Sequence, residues 1–118
     1  MNSINLTWEI IKSFPIIFFD GQITSEIEEL LDKAYREVLS QVNSKILILD
    51  FTKADYINSS GIASLIKILK MSNESGGDLI FTGLSDHIKK VMDIVGLSDY
   101  VKIFNTTEIA INDYNNEL

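Results

Sequence analysis

Two adjacent hydroxyls, Ser59 and Ser60, sit in the run Ile57-Asn58-Ser59-Ser60-Gly61, between the apolar segment Ile46-Leu47-Ile48-Leu49-Asp50 and the helix-patterned stretch from Ile62 to Met71. A hydroxyl at a helix entrance has three uses. It can accept a hydrogen bond from one of the unpaired amides of the first turn, a role open to either Asn58 or Ser59. It can carry a phosphate, which adds about -1.5 to -2 charges where exposed N–H groups and the positive dipole end receive it. It can attack a substrate, but only with a base at hand, and nothing in the sequence sets a base beside Ser59. If the domain tolerates a phosphate, regulation comes from the docking surface, where the new charge meets a partner group it repels or leaves poorly solvated. Gly61 fits such a surface, having no side chain to shield the hydroxyls or obstruct a close partner backbone.

Other chemistries find little support. The chain has no cysteine, which removes disulfides, thiolate metal sites and thiol nucleophiles together. His87, beside Asp86, is the only histidine, so a zinc triad of imidazoles cannot form and a surface position is expected. Asp20, Asp50 and Asp55 lack the spacing of a calcium loop, and Gly76-Gly77-Asp78 reads as a turn lacking the lysine and hydroxyl of a phosphate-binding loop. No metal or other cofactor is therefore expected. Acidic residues outnumber basic ones 17 to 10, a net charge of -7, which disfavours direct nucleic-acid binding and an anionic membrane surface and suits a protein partner with a basic patch. Trp8, Tyr35, Tyr56, Tyr100 and Tyr114 are scattered without basic interleaving and read as core or rim packing. The start has neither the basic region nor the apolar core of a signal peptide, and no stretch reaches the roughly 18 apolar residues of a membrane span. The expectation is a cytoplasmic protein with no membrane insertion.

The elements that must position Ser59 follow from the hydropathy pattern. With 118 residues, 46 % apolar and 23 % charged, residues 1–118 are expected to form one folded domain. Asn5 to Ile11 and Phe14 to Phe19 read as an edge hairpin turning on Lys12-Ser13, with Pro15 near a strand start. Asp20-Gly21-Gln22 is expected to end that run, and Ser25 with Glu28 forms a capping-box signature. The following helix carries Ile27, Leu30, Leu31, Ala34 and Val38 as its apolar stripe. Ile46 to Leu49 has no alternation and reads as a strand covered on both faces. Ile62, Leu65, Ile66 and Leu69 define a second helix ending near Asn73 to Gly77, and Leu79 to Phe81 a short strand. Ser85 caps a third helix bearing Ile88, Val91, Met92 and Val95, which Gly96 stops. Val101 to Phe104 is the last strand, and Thr106 or Thr107 opens a closing helix to about Tyr114. The resulting β-β-α-β-α-β-α-β-α order specifies an α/β fold with a mixed, mostly parallel sheet, and functional residues are expected where strands end and helices begin.

On these residues the chain resembles the STAS domain family, and within it the bacterial anti-sigma factor antagonists. The likeness rests on Ile46-Leu47-Ile48-Leu49-Asp50-Phe51, Tyr56-Ile57-Asn58-Ser59-Ser60-Gly61-Ile62 and Leu65. It continues through Gly83-Leu84-Ser85, Ile88, Val91, Met92, Gly96-Leu97, Val101 and Ile103-Phe104, and spans about Ile16 to Ala110. The resemblance implies a small domain with a curved mixed sheet, helices packed mainly on one side, and no catalysis of its own. It further implies that the unmodified protein binds an anti-sigma factor with a serine-kinase fold and releases the sigma factor. That partner inactivates it by phosphorylating a serine, and a separate phosphoserine phosphatase restores it. Carried onto this chain, the phosphorylation site is Ser59 and the partner-binding residues are Asn58, Ser59, Ser60, Gly61 and Ile62; monomer or dimer is left open. Two positions depart from the family pattern: Asn58 stands where Asp is usual, and Thr24 where Asp usually follows the early Gly21-Gln22-Ile23 turn. Asn caps a helix about as well as Asp, and its neutrality eases a phosphate on Ser59. The alternative is a constitutive scaffold of the same fold, a subunit of a transporter or signalling complex in which Ser59 only caps the helix. Asp50, with Thr82, invites comparison with the phosphoacceptor of a receiver domain, but Asp20 has no acidic neighbour for the magnesium site and Lys102 lies inside the last strand. Asp50 is expected to cap a loop.

Overall fold

The computed structural model describes residues 4–116. β1 (Ile4–Ile11) and β2 (Phe14–Ile23) form a hairpin, followed by α1 (Ile27–Gln41), β3 (Ile46–Ile57), α2 (Ser59–Glu74) and β4 (Asp78–Thr82). α3 (Asp86–Val95), a 3-10 turn at Leu97–Asp99, β5 (Lys102–Phe104) and α4 (Thr107–Asn116) complete the expected order. Lys12 and Ser13 both take positive φ, 51° and 71°, the two-residue turn whose twist suits a tight hairpin. Pro15 precedes the first residue of β2 that pairs with β3, Ile16, so its missing N–H leaves no gap in that ladder.

The five strands lie in sequence order, β1-β2-β3-β4-β5, with β1 antiparallel to β2 and every later pair parallel. Each parallel step moves one strand in the same direction, and the right-handed crossover rule then sets all three connecting helices on one face. Ile17, Phe19, Leu49, Phe51 and Phe81 project to that face and meet Ile27, Leu31, Val38, Leu65, Ile68, Ile88 and Met92. Phe51 is the centre of this core, stacked on Phe19 at 4.7 Å and meeting Phe81 edge-on at 5.0 Å. α4 follows the last strand, connects to nothing further in the sheet, and covers the opposite face, where Ile16, Ile48 and Ile80 align across three strands under Ala110 and Ile111. The first half of β3, Leu47 to Phe51, is thus buried on both faces, as its unbroken apolar run required.

Several local expectations are corrected. β2 does not end at Asp20; it runs to Ile23, and β3 runs seven residues past Asp50 to Ile57. Register shifts between Phe18 and Asp20 and between Gly21 and Gln22, with Gly21 at φ 123°, carry the pairing through the polar stretch. The Ser25–Glu28 capping box does not form: Glu26 holds the cap position without a side-chain bond, and the Ser25 carbonyl receives the Glu28 N–H instead. Leu30 and Val95, placed in apolar stripes by their spacing, are 40 % and 46 % exposed, and Tyr56 and Tyr100 are exposed rather than packed. Ser85 and Gly96 do bound α3, the first accepting from the Ile88 N–H at 3.2 Å and the second adopting φ 84°.

Candidate functional site

The five residues from Asn58 to Ile62 divide into two that hold the structure and three that reach the surface. Asn58 is extended and its Oδ1 accepts from the Gly61 N–H at 3.0 Å, so the N-cap of α2 is Asn58 and not Ser59. Its backbone N–H donates to the Ile23 carbonyl at 3.1 Å, fastening the helix entrance to the end of β2. Gly61 is buried against the same residue. A Cβ there would lie 2.3 Å from the Ile23 carbonyl oxygen and 2.8 Å from its Cγ2. The glycine is therefore required by the inward packing of α2 on β2.

Ser59, the first residue of α2, is exposed, and its hydroxyl makes no hydrogen bond to any described residue. Ser60 is also exposed; its carbonyl accepts from Ser64 Oγ at 3.3 Å. Ile62 is half-buried, with part of its side chain against the main core. The first turn of α2 contains no acidic side chain, so the positive end of the helix is not neutralised from within. Beside it, a shallow groove of about 250 Å³ runs between the start of α1 and α2, lined by Ser25, Glu28, Ser60, Ala63, Ser64 and Lys67. Lys67 and Glu28 face each other across it at 3.6 Å, both well exposed, an arrangement that a docking partner can reorganise at little cost. Thr24, the other departure from the family pattern, is half-buried, and its carbonyl accepts the Ile27 N–H at 3.1 Å. The site presents an accessible hydroxyl on a fixed helix start and no base hydrogen-bonded to it, which suits it to receive a group and not to perform attack.

A second constellation was only half visible in the sequence, which set Asp50 beside Thr82 and missed Thr107. Asp50 lies inside β3 in register with Thr82 of β4, and both face α4. Asp50 Oδ1 accepts from the Thr52 N–H at 2.9 Å and Oδ2 from Thr107 Oγ1 at 2.6 Å; Thr107 Oγ1 in turn meets Thr82 Oγ1 at 2.8 Å. All three side chains are buried, so Asp50 anchors α4 to the sheet and does not cap a loop. The available signal was positional: Asp50 and Thr82 each directly follow an apolar run in neighbouring parallel strands. Asp20 and Asp50 share a wide groove on this face with Asn5, Thr7, Glu9 and Thr52. His87 is exposed on α3. Among the described residues no group of three His, Cys, Asp or Glu side chains is placed to hold a metal ion, and no helix is long and apolar enough to cross a membrane.

The sheet is wound in sequence order, and an exposed serine opens its second helix. The family model "STAS domain" matches residues 5–110, and the chain belongs to the STAS domain family, a non-catalytic regulatory module. It is similar to the anti-sigma-B factor antagonist of Listeria monocytogenes, 29 % identical over 89 residues that span 75 % of this chain and 77 % of that protein. Among solved structures it resembles an anti-sigma factor antagonist from Mycobacterium paratuberculosis, with a TM-score of 0.79 at 16 % identity, covering 94 % of this chain and 93 % of that one. It also resembles the Bacillus cell fate determinant SpoIIAA in its phosphorylated form, with a TM-score of 0.69 at 19 % identity over 95 % of this chain and 99 % of that one. At these identities the structural likeness speaks for the fold alone.

Proposed function

We propose that this chain is an anti-sigma factor antagonist whose binding to a serine-kinase-type anti-sigma factor is switched off by phosphorylation of Ser59. The unmodified surface formed by Asn58, Ser59, Ser60 and Ile62 docks the partner, with Gly61 setting the register of the helix start from within. The partner transfers the γ-phosphoryl group of ATP to Ser59 Oγ, releasing ADP, and a separate phosphatase hydrolyses the ester back to serine and inorganic phosphate. The setting is the cytoplasm, where ATP and sigma factors reside.

The observation that carries this reading is the division of labour at the helix start. Asn58 supplies the cap, which leaves the Ser59 hydroxyl exposed and uncommitted. A scaffold in which Ser59 serves only as the cap has no use for that arrangement. A phosphate at Ser59 lies beside a first turn without acidic side chains, so the domain accepts the charge that its partner's surface rejects. Incubation with the partner kinase and ATP, followed by peptide mass spectrometry, tests the assignment. One phosphate is expected, on Ser59, and absent from Ser59→Ala; modification that persists in Ser59→Ala refutes the site.

A further inference from the structure

β1 is an edge strand whose outer side no described strand pairs. Which of its groups are free follows from the hairpin. A two-residue turn makes the flanking residues Ile11 and Phe14 a hydrogen-bonded pair, so Ile11, Glu9, Thr7 and Asn5 direct their N–H and C=O groups at β2. Ile4, Leu6, Trp8 and Ile10 then direct theirs outward, four donors and four acceptors in one row. Edge strands are commonly guarded by charged side chains, a proline, a bulge or a short length. β1 carries a single charge, Glu9, and has none of the others: it is eight residues long and pairs with β2 without a register shift.

We infer that β1 is the seam of a homodimer, in which two copies join antiparallel about a two-fold axis at Thr7 to give one continuous ten-stranded sheet. Both copies run Ile4 to Ile10 in the same span, so Ile4 faces the partner copy's Ile10, and Leu6 the partner copy's Trp8, as hydrogen-bonded pairs. These four side chains share the face that carries α1, where Leu6 and Trp8 already pack at the core margin. On the other face Asn5 faces the partner copy's Glu9 and Thr7 faces itself. Glu9 is the only charged residue of the strand, and this register opposes it with an amide donor and not with its own copy. Apolar pairs on one face and hydroxyl and amide–carboxylate pairs on the other are combinations that stabilise adjacent strands. Trp8 Nε1 approaches Glu37 Oε1 at 3.4 Å, which marks the side of α1 nearest the seam. Leu30 lies two turns before Glu37 on that same stripe, toward the Ile4 end of β1, and Ile10 lies two residues beyond Trp8 at the other end of the strand; both are exposed in the single chain. No residue from Asn58 to Ile62 belongs to β1, so the seam leaves Ser59 free and does not depend on the proposed function.

Sedimentation equilibrium of the full chain is expected to give about twice the chain mass of 13.3 kDa. Because the chain contains no cysteine, Thr7→Cys provides a clean probe: opposed residues in a non-hydrogen-bonded pair have Cβ atoms about 4.5–5.5 Å apart, and mild oxidation should yield a covalent dimer. Asn5→Cys, whose two copies stand four residues apart along the seam, should not cross-link. Thr7→Lys, which opposes two like charges at an exposed position, should give the single-chain mass with unchanged circular dichroism. A single-chain mass maintained up to about 1 mM protein overturns the inference. So does a dimer that Thr7→Lys leaves intact and Thr7→Cys fails to cross-link.

Discussion

Replacing Gly61 with alanine separates two opposed expectations with one methyl group. Helix propensity alone favours Ala over Gly by about 1 kcal/mol. The structure opposes it, because the new Cβ would stand 2.3 Å from the Ile23 carbonyl oxygen, roughly 1 Å closer than the ~3.3 Å at which carbon and carbonyl oxygen approach in sheets. That oxygen belongs to the backbone of a paired strand and also accepts the Asn58 N–H, so relief requires α2 to move off β2. Overpacking of this kind costs about 1–3 kcal/mol, and loss of the Asn58 bond adds about 0.5–1.5 kcal/mol. Subtracting the propensity gain leaves a destabilisation of about 0.5–3.5 kcal/mol, centred near 2. For a chain of this size the central value lowers Tm by roughly 6–10 °C, read by thermal circular dichroism and checked by urea titration with an unchanged slope. A Tm equal to or above that of the unmodified chain refutes the claim that inward packing dictates the glycine.

Asn58→Ala should cost about 1 kcal/mol through the lost cap, while Ser59→Ala should remain within about 0.5 kcal/mol; the reverse ranking in urea denaturation contradicts the assignment of the cap to Asn58. Asp50→Ala leaves the Thr52 N–H and Thr107 hydroxyl without their acceptor and should destabilise by about 1–3 kcal/mol; stability equal to wild type shows that the buried row does not tie α4 to the sheet. Ser59→Asp puts a carboxylate on the first turn of α2, favourable to the helix by about 0.3–1 kcal/mol. Its Tm should hold or rise slightly while calorimetry records weaker binding to the anti-sigma factor; equal loss of fold and binding contradicts a surface mechanism.

Much of this architecture was legible in the sequence because its apolar runs state their own periodicity. Ile46 to Leu49 declares a strand covered on both faces, and Ile88, Met92 and Gly96 declare a helix and its stop. The far halves of β2 and β3 were not legible. Their burial depends on pairing across bulges, and in Phe51 to Ile57 only every third residue is buried, a rhythm that matches neither a regular strand nor a helix. Ser25 and Glu28 carry the right letters for a capping box, yet the chain enters α1 through a backbone turn that already uses the Ser25 carbonyl. Leu30 has helical spacing with the core residues but sits on the flank that faces the β1 edge, which spacing alone does not distinguish. At the site, the sequence reading left the cap open between Asn58 and Ser59; the Gly61 N–H bond to Asn58 Oδ1 assigns it to Asn58. The Asp50–Thr107–Thr82 row joins residues up to 57 positions apart, and no local pattern announces such a contact.

The most direct measurement is isothermal titration of the anti-sigma factor with the unmodified chain and with the same chain phosphorylated at Ser59, alongside their melting curves. The account predicts that phosphorylation weakens binding by at least tenfold, about 1.4 kcal/mol, with Tm essentially unchanged. Equal affinity for the two forms, or a phosphorylated form that loses its fold together with its binding, would contradict it.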